Sequence, residues 1–493
     1  MDHRLKNISC LLLFVLLYSL ALAQKIRVHY TSQASPGHFS GYVFLYLSKD
    51  ARSPKDQDVG ISFFPCFRLA VKNIQPGQDI LFDDAALAYP VPLSEIERGD
   101  YYVQAVWDKD LGGRSISNSP GNMYNQPVKL KLTSSKDQVF DIVCPEAIKP
   151  QAFTETNYIK QLRVRSALLS AFYGRTTFIQ AAVFLPKEYD LQPERKFPVL
   201  YWVSGYGGDY HRFSGRSSPG MPLDTTPVIR VFLDGNCPLG HSVYANSENN
   251  GPWGDALTGE LLPEMERNYR TNGARLLFGH SSGGWTVLWL QTHYPTLFAA
   301  CWSSSPDPVD FRNFQQVNLY HDQNMFYERD SSLRMVATVA GRVPWASMKQ
   351  AYGMENIISR GEQMHSFDAV FSQKSRNGSP ARLCDPYSGV IDSVTVVHWK
   401  NYDISLYLRT HWDQLASSLH GKIRVSVGEQ DNFLLNHAVH LLDEEMKKLD
   451  AGFVFGYYPG DHFTVSSPEY QKNGNQFLEQ KYDAFMKRPA ASN

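Results

Sequence analysis

Three nearly continuous apolar stretches place the strongest limit on the fold of this chain. They cover residues 178–185, 198–203 and 228–233. Such stretches are typical of strands that are buried on both faces of a sheet. Helical patterns lie between and beyond them, at residues 253–270, 285–294 and 434–449. The alternation predicts an α/β fold with a doubly wound, mostly parallel sheet that carries helices on both sides.

The first part of the chain has a different pattern, because short alternating segments replace the long apolar stretches. Strand-like segments lie at residues 25–30, 40–47, 99–107 and 128–133, and clusters of Pro, Gly, Asn and Asp separate them. This spacing predicts an all-β, sandwich-like domain at residues 25–150. Residues 145–156 fit a linker, and the α/β domain is expected at residues 157–490.

Residues 307–421 interrupt the alternation of strands and helices and are expected to be an insertion between two sheet strands. Such insertions often roof the ligand site, and packing on the flank of the domain is the alternative. Asp307 and Asp310 at its start could bind a polar substrate group, but loop capping is the preferred interpretation. Trp399 and Tyr402 could stack on a ligand, but aromatic side chains more often belong to a core.

The N-terminus has the pattern of a signal peptide at residues 1–23. Arg4 and Lys6 precede an apolar run that ends in Ala21-Leu22-Ala23, which is a small-residue cleavage pattern. The run has about 14 residues, fewer than the roughly 20 that a membrane span needs. We expect a secreted or periplasmic protein with no stable membrane insertion after cleavage; an uncleaved anchor is the alternative.

Charge and cysteine content exclude several classes of function. The chain has 493 residues with 48 Lys and Arg against 49 Asp and Glu, so no basic surface for nucleic acid is expected. Five cysteines follow the leader, and one disulfide is possible in an oxidising compartment. They are Cys66, Cys144, Cys237, Cys301 and Cys384. None has the spacing of a zinc site, so we expect no metal and no organic cofactor.

The segment GHSSG at residues 279–283 is the strongest motif in the sequence. The residues before it, 275–278, are strand-like, and a helical pattern follows it up to Pro295. A sharp strand-to-helix turn exposes a serine hydroxyl, and glycines on both sides avoid Cβ clashes. The motif therefore predicts Ser281 as a nucleophile. A similar start at residues 240–244 lacks the second glycine.

A serine hydroxyl needs a neighbouring base, and in folds with this turn the chain order is serine, acid, histidine. Asp431 follows a strand-like segment at residues 421–430 and is expected to orient the imidazole, with Glu429 as the rival acid. His462 follows the strand-like segment 452–458 and is the expected base. Exposed loop residues without a catalytic role are the alternative for both.

Acyl transfer also needs hydrogen-bond donors for the developing oxyanion. The backbone N–H of Ser282, directly after the predicted nucleophile, is the first candidate. The loop SGYGG at residues 204–208 follows an apolar strand, and its glycines allow the backbone to approach a ligand closely. The N–H of Tyr206 is the second candidate, with Gly207 next. A purely structural glycine-rich turn is the alternative.

From about residue 161 to 487 the chain resembles the esterase D type of α/β-hydrolase, which includes enterochelin-esterase-like and feruloyl-esterase-like proteins. The matching parts are residues 204–207, Asp234-Gly235, residues 260–263, the 279–283 motif, residues 428–431 and Asp461-His462. The resemblance implies a triad of Ser281, Asp431 and His462, with oxyanion donors at Tyr206 and Ser282. Many relatives carry His-Gly where this chain has Ser204-Gly205. The difference keeps the backbone donor but changes the side chain that supports the early loop, residues 204–208.

These patterns together predict an exported serine carboxylic ester hydrolase that acts through an acyl-enzyme on a small-molecule or carbohydrate-linked ester. Two alternatives stay open: a serine peptidase of the same fold, and a carbohydrate-binding protein on an inactive hydrolase scaffold. The sequence shows no propeller repeat of the kind found in such peptidases. The presence of serine, acid and histidine in the expected order disfavours the inactive scaffold.

Overall fold

The computed structural model describes residues 24–57, 62–133, 138–358 and 360–487. The predicted signal peptide at residues 1–23 lies outside the described residues. A β-rich part at residues 24–147 is followed by an α/β part at residues 159–487.

The β-rich part contains two sheets. Its strands, over the described residues, are β1 (Lys25–Tyr30), β2 (Phe39–Ser48), β3 (Cys66–Ile74), β4 (Ile80–Phe82), β5 (Leu87–Tyr89), β6 (Gly99–Asp108), β7 (Met123–Tyr124), β8 (Val128–Leu132), β9 (Val139–Cys144) and β10 (Glu146–Ala147). One sheet has the order β4-β1-β9, and the other has the order β10-β7-β6-β2-β3-β5 with β8 also paired to β6. The four strands predicted from the sequence are confirmed to within a residue or two.

One apolar core joins the two sheets of the β-rich part. Ile26 of β1 is fully buried there together with Leu45 of β2. Trp107 of β6 belongs to the same core, and its ring lies 4.9 Å from the ring of Tyr30 between centroids. Side chains from two sheets that share one core are the arrangement expected of a β-sandwich.

An eight-stranded sheet forms the centre of the α/β part. The strands of this part are β11 (Ile159–Ser166), β12 (Thr177–Phe184), β13 (Phe197–Val203), β14 (Ile229–Leu233), β15 (Asn236–Cys237), β16 (Gly240–His241), β17 (Asn246–Ser247), β18 (Gly251–Pro252), β19 (Thr271–His280), β20 (Ala300–Ser304), β21 (Met335–Val339), β22 (Val343–Ser347), β23 (Ile423–Gly428) and β24 (Val454–Tyr458). The order of the large sheet is β11-β12-β14-β13-β19-β20-β23-β24. Its strands are parallel from β14 to β24, while β11 and β12 form an antiparallel edge.

Helices cover both faces of the large sheet. They are α1 (Ala167–Tyr173), α2 (Glu188–Leu191), α3 (Trp253–Ala256), α4 (Leu262–Asn268), α5 (Ser282–His293), α6 (Met348–Ile358), α7 (Gln363–Phe371), α8 (Ser393–Trp399), α9 (Ile404–Leu419), α10 (Leu435–Lys448) and α11 (Pro468–Met486). Leu277 of β19 shares a core with Trp285 of α5, whereas the adjacent Leu276 shares a different core with Phe477 of α11. Because neighbouring residues of a strand point to opposite faces, α5 and α11 lie on opposite sides of the sheet. The predicted doubly wound, mostly parallel sheet is confirmed.

The predicted insertion lies between two adjacent strands of this sheet. β20 and β23 pair in parallel, and the chain between them contains β21, β22 and α6 to α9. Trp399 and Tyr402 are 0% and 7% exposed and belong to the large core of the α/β part. Their rings pack at 5.1 and 5.2 Å from Phe371, so both are core residues and not ligand-stacking residues.

The five cysteines of the described chain are buried free thiols. The disulfide that the sequence allowed is not formed. Within the described ranges, no helix combines the length and the apolar character that crossing a bilayer requires.

A buried ion pair fastens the β-rich part to the insertion. Arg360 donates from Nε and Nη2 to the two carboxylate oxygens of Asp108 at 3.0 and 2.8 Å. The two side chains are 7% and 3% exposed. Arg360 Nη1 also donates to the carbonyl oxygen of Gly113, at 2.5 Å. These contacts join parts of the chain that are 252 residues apart in sequence.

The Asp108→Asn substitution should lower the free energy of unfolding by at most roughly 3–5 kcal/mol, because it removes the buried counter-charge of the Arg360 guanidinium. The carboxylate that remains is that of Asp110, which is 62% exposed and lies 3.4 Å from Arg360 Nε. Urea denaturation followed by tryptophan fluorescence measures the change. Asp50→Asn is the matched control, because Asp50 pairs with Arg52 at the surface, where an ion pair contributes about 0–1 kcal/mol. Equal effects of the two substitutions would contradict the role of the buried pair.

Candidate active site

Ser281 lies at the sharp turn between β19 and α5, with φ 60° and ψ −126°. A non-glycine residue adopts this backbone conformation only when its surroundings hold it there. Its N–H donates to Ser304 O at 3.0 Å, and its carbonyl oxygen accepts from the N–H of Asp307 at 3.2 Å. The predicted sequence of strand, turn and helix is therefore confirmed, and the turn is held by hydrogen bonds from the neighbouring strand end.

The glycines of the motif are needed because the backbone is crowded on both sides of the turn. A Cβ on Gly279 would lie 2.1 Å from Gly283 O, and a Cβ on Gly283 would lie 2.2 Å from Val203 O. Both neighbouring atoms belong to the backbone, so they cannot move aside as a flexible side chain would. The Cβ clashes expected from the motif are thus observed at both of its outer glycines.

The Gly283→Ala substitution should destabilise the protein by about 1–3 kcal/mol, because the added methyl group must displace the end of β13. It should also lower kcat by about 100-fold, since a shift of about 1 Å misplaces the nucleophile. Thermal unfolding and ester hydrolysis measure the two effects. Gly259→Ala is the matched control, because Gly259 also lies in a helical segment, Leu257–Leu261, and a Cβ there meets nothing within 4 Å. Comparable losses in both variants would contradict this explanation.

His462 and Asp431 lie together at the carboxyl ends of β24 and β23. The Nδ1 atom of His462 is 2.7 Å from Asp431 Oδ2, and the side chains are 4% and 0% exposed. Asp431 Oδ1 accepts from the N–H of Phe433 at 2.9 Å, and the N–H of His462 donates to Asn432 Oδ1 at 3.1 Å. These bonds fix both residues, so Nε2 is the ring nitrogen left to face a reacting group.

Glu429, the rival acid, is placed differently. Its side chain is 46% exposed and pairs with Nε2 of His440 at 3.1 Å. His440 lies on α10, as the sequence indicated. Asp431, and not Glu429, is therefore the carboxylate in contact with His462.

Ser281 and His462 line one cavity with a volume of about 280 Å³. No hydrogen bond between the described atoms joins the Ser281 hydroxyl to the imidazole. Nucleophile–base hydrogen bonds are often long in proteins without substrate and shorten when substrate binds. The three predicted residues thus occupy one site, with the acid–base contact formed and the base–nucleophile contact open.

His280 supports the imidazole of His462 from one side. The two rings lie 4.5 Å apart between centroids, and His280 Nδ1 lies 2.7 Å from Ser304 Oγ. Burial and the nearby His462 lower the pKa of His280 to about 3. His280 therefore stays neutral at neutral pH and adds no charge repulsion when the imidazole of His462 is protonated. The sequence offered no signal for this role beyond the motif itself.

The predicted oxyanion donors lie next to the nucleophile. A Cβ on Gly205 would lie 3.4 Å from Ser281 Cβ, so the early loop packs directly against the turn. Tyr206 follows Gly205 and lines the cavity. Ser282 is the first residue of α5, and the first N–H groups of a helix have no acceptor within the helix. Tyr206 and Ser282 thus each lie next to a residue of the Ser281 turn or of the loop packed on it, and their role as oxyanion donors stays a prediction.

Asp307 and Asp310 have separate roles. Asp310 accepts from the N–H of Arg312 at 3.0 Å and forms an ion pair with that residue, so the expected loop capping is confirmed there. Asp307 lines the cavity instead and accepts from Ser282 Oγ at 2.6 Å. Burial raises the pKa of Asp307 to about 6, although the Ser282 hydrogen bond acts in the opposite direction.

The insertion forms much of the cavity wall and therefore roofs the site. Its contributions are Gln315, Val336, Ala351, Glu355, Glu362, Gln363, Met364 and Phe367. Phe433 and Phe463, which flank Asp431 and His462 in the chain, close the other side. Among the described residues, no group of three or more His, Cys, Asp and Glu side chains is arranged to hold a metal ion.

The comparison with protein families decides the class of this site. The family model Esterase, described as "Putative esterase", matches residues 176–449, which is more than half of the chain. The chain belongs to this Esterase family. It is a serine esterase with an α/β-hydrolase fold, and the matched region spans the predicted nucleophile Ser281 and the predicted acid Asp431. Nothing among the curated proteins matches the esterase by sequence.

Solved structures similar to this esterase include three hydrolases. A ferulic acid esterase is 15% identical with a TM-score of 0.39, and the match covers 67% of this chain and 100% of that one. An S-formylglutathione hydrolase from Agrobacterium tumefaciens is 13% identical with a TM-score of 0.38, covering 68% and 97%. A fluorophosphonate-binding serine hydrolase from Staphylococcus aureus is 12% identical with a TM-score of 0.36, covering 66% and 97%.

Proposed function

We propose that this esterase is an exported enzyme that hydrolyses small-molecule or carbohydrate-linked carboxylic esters through an acyl-enzyme on Ser281. The observation that carries the proposal is the shared cavity. Ser281 stands there in a strained turn beside His462, whose Nδ1 is bound to the buried Asp431 at 2.7 Å. This combination of nucleophile, base and orienting acid fits acyl transfer.

In the proposed mechanism, Ser281 Oγ attacks the ester carbonyl carbon while Nε2 of His462 takes the hydroxyl proton. Asp431 holds the imidazole by Nδ1 and stabilises its charged form. The N–H groups of Tyr206 and Ser282 bind the oxyanion of the tetrahedral intermediate. His462 then gives the proton to the leaving alcohol, and water attacks the acyl-enzyme by the same route in reverse.

Hydrolysis of a panel of aryl and glycosyl esters, with a peptide panel beside it, tests the proposed function. We expect ester cleavage and no peptide cleavage. A fluorophosphonate probe should label the protein once, and mass spectrometry should place the label on the peptide that contains Ser281. A protein that cleaves no ester and takes no label would behave as an inactive scaffold, which would overturn the proposal.

Export is supported by the leader pattern at residues 1–23 and by the site of predicted cleavage after Ala23. Expression of the full chain, followed by N-terminal sequencing of the mature protein, tests it. We expect a mature N-terminus at Gln24 and protein outside the cytoplasm. A cytoplasmic protein that retains Met1 or Asp2 would contradict export and leave the proposed chemistry unaffected.

A further inference from the structure

The loop that carries the second oxyanion donor is flexible by composition. Residues 204–208 contain three glycines, and Gly207 has φ 78°, in the left-handed region. A glycine-rich segment has more backbone freedom than any other, so contacts from outside must fix its conformation. Tyr206 carries the only large side chain of the loop. The contacts of its ring and hydroxyl therefore decide where its backbone N–H is held.

The Tyr206 side chain is anchored at a point where three parts of the chain meet. Its hydroxyl donates to Gly361 O, in the insertion, and lies 3.3 Å from the carboxylate of Glu362. Arg114, from the loop after β6 in the β-rich part, donates from Nη1 to the same hydroxyl at 2.9 Å. The Arg114 guanidinium also lies over the Tyr206 ring, 4.8 Å from its centroid. Arg114 thus holds both the tip and the face of this ring.

Arg114 is itself fixed by the contact between the β-rich part and the insertion. Its Nη1 donates to Gly361 O at 3.1 Å, and its carbonyl oxygen accepts from Arg360 Nη1 at 3.2 Å. A Cβ on Gly361 would lie 2.1 Å from the Arg114 carbonyl oxygen, so the two backbones touch. Arg360 is in turn paired with Asp108. The backbone of Arg114 is therefore fixed, and its guanidinium stays in contact with Tyr206.

From these contacts we propose that Arg114 is a positioning residue of the active site. It holds the Tyr206 side chain, and through it the backbone N–H of Tyr206, at the place where the oxyanion forms. The β-rich part then completes the catalytic centre of the α/β part. This inference rests on the proposed function, because it assigns the Tyr206 N–H a role in acyl transfer.

The test is the Arg114→Ala variant of the full-length protein, assayed with one aryl ester. We expect kcat to fall by about 10-fold to 100-fold, less than complete loss of an oxyanion donor causes, while KM changes by less than about threefold. An interaction made in the transition state lowers kcat and kcat/KM together. Added guanidinium chloride at tens of millimolar should restore part of kcat in this variant and none in the wild type.

Arg163→Ala is the matched control, because the Arg163 guanidinium also lies over an aromatic ring, that of Phe178. Arg163 is an exposed residue of β11, the edge strand of the large sheet. It should leave kcat within about twofold of the wild type. Arg114→Lys should retain the charge but only part of the activity, because an ammonium cannot hydrogen-bond the hydroxyl and stack on the ring with the same planar group.

A double-mutant cycle with Tyr206→Phe adds an independent measurement. If Arg114 acts through Tyr206, the fold-decrease in kcat of the double variant should be clearly smaller than the product of the fold-decreases of the two single variants. An unchanged kcat in Arg114→Ala, or multiplicative effects without guanidinium rescue, would overturn the inference. Loss of the proposed function would look different, since wild-type protein would then neither hydrolyse the aryl ester nor take a fluorophosphonate label.

Discussion

Replacing Ser281 with alanine should lower kcat for a short aryl ester by about 10⁵-fold to 10⁶-fold, the size of loss expected when the nucleophile of a serine hydrolase is removed. The hydroxyl oxygen that attacks the carbonyl is absent, and His462 with Asp431 cannot replace it. The oxyanion donors and the cavity remain, so a small residual rate over water is expected. Ester hydrolysis, with burst kinetics for the acylation step, measures the loss, and the fluorophosphonate label should disappear.

The sequence supplies a matched control for this prediction. Ser242 stands in a second GHS segment, but its hydroxyl is buried and accepts from the N–H of Tyr244 at 3.3 Å. Ser242→Ala should change kcat by less than about threefold. The Tm of the Ser281→Ala variant should equal that of the wild type or exceed it slightly, because the substitution removes a polar group from a strained position. An active Ser281→Ala variant would show that another residue carries the acyl group.

Local patterns were sufficient to predict the frame of the site. The apolar stretch that became β13 is buried along nearly its whole length, so its composition reflects the two covered faces directly. Gly279 is explained by a backbone contact with Gly283 within the strand–turn–helix unit, and Gly283 by a backbone contact with Val203 at the end of the neighbouring strand β13. Asp431 and His462 each follow a strand end, and parallel neighbouring strands bring those ends to one edge of the sheet.

Contacts between distant segments could not be predicted in the same way. Arg114 lies 92 residues before Tyr206, in a loop whose composition indicates only a turn. The Asp108–Arg360 pair spans 252 residues and joins two segments that have no shared pattern. The cavity wall likewise comes from an insertion with mixed short patterns. The candidate residues Ser281, Asp431 and His462 could therefore be predicted, because each follows the end of a strand. The residues of the cavity wall could not, because they depend on how separate parts of the chain pack.

The disulfide expectation shows the same limit. An exported chain with five cysteines permits one bridge, but the five thiols of the described residues are buried and free. Cys301 lies on β20 in the large core, whereas Cys144 lies in the core of the β-rich part. Spacing along the chain carries no information on such separation, and burial favours these residues as small apolar side chains.

The identity of the acid can be decided by one pair of substitutions, Asp431→Asn and Glu429→Gln. Asp431→Asn should lower kcat by about 10⁴-fold, because an amide in place of the carboxylate stabilises the wrong tautomer of His462 and no longer stabilises its charged form. KM should change little, since Asp431 is fully buried and has no exposed surface from which to contact substrate. Steady-state hydrolysis of the aryl ester used for Ser281→Ala measures both constants.

Glu429→Gln should leave kcat within about threefold of the wild type. Its carboxylate pairs with His440 at the surface, where removing one charge alters stability by less than about 1 kcal/mol. Each variant replaces a carboxylate by the amide of the same size, and the two positions lie two residues apart in one loop. The variants therefore differ mainly in the histidine that the altered side chain contacts. A large loss in Glu429→Gln with a mild effect in Asp431→Asn would reverse the assignment and require the loop after β23 to rearrange when substrate binds.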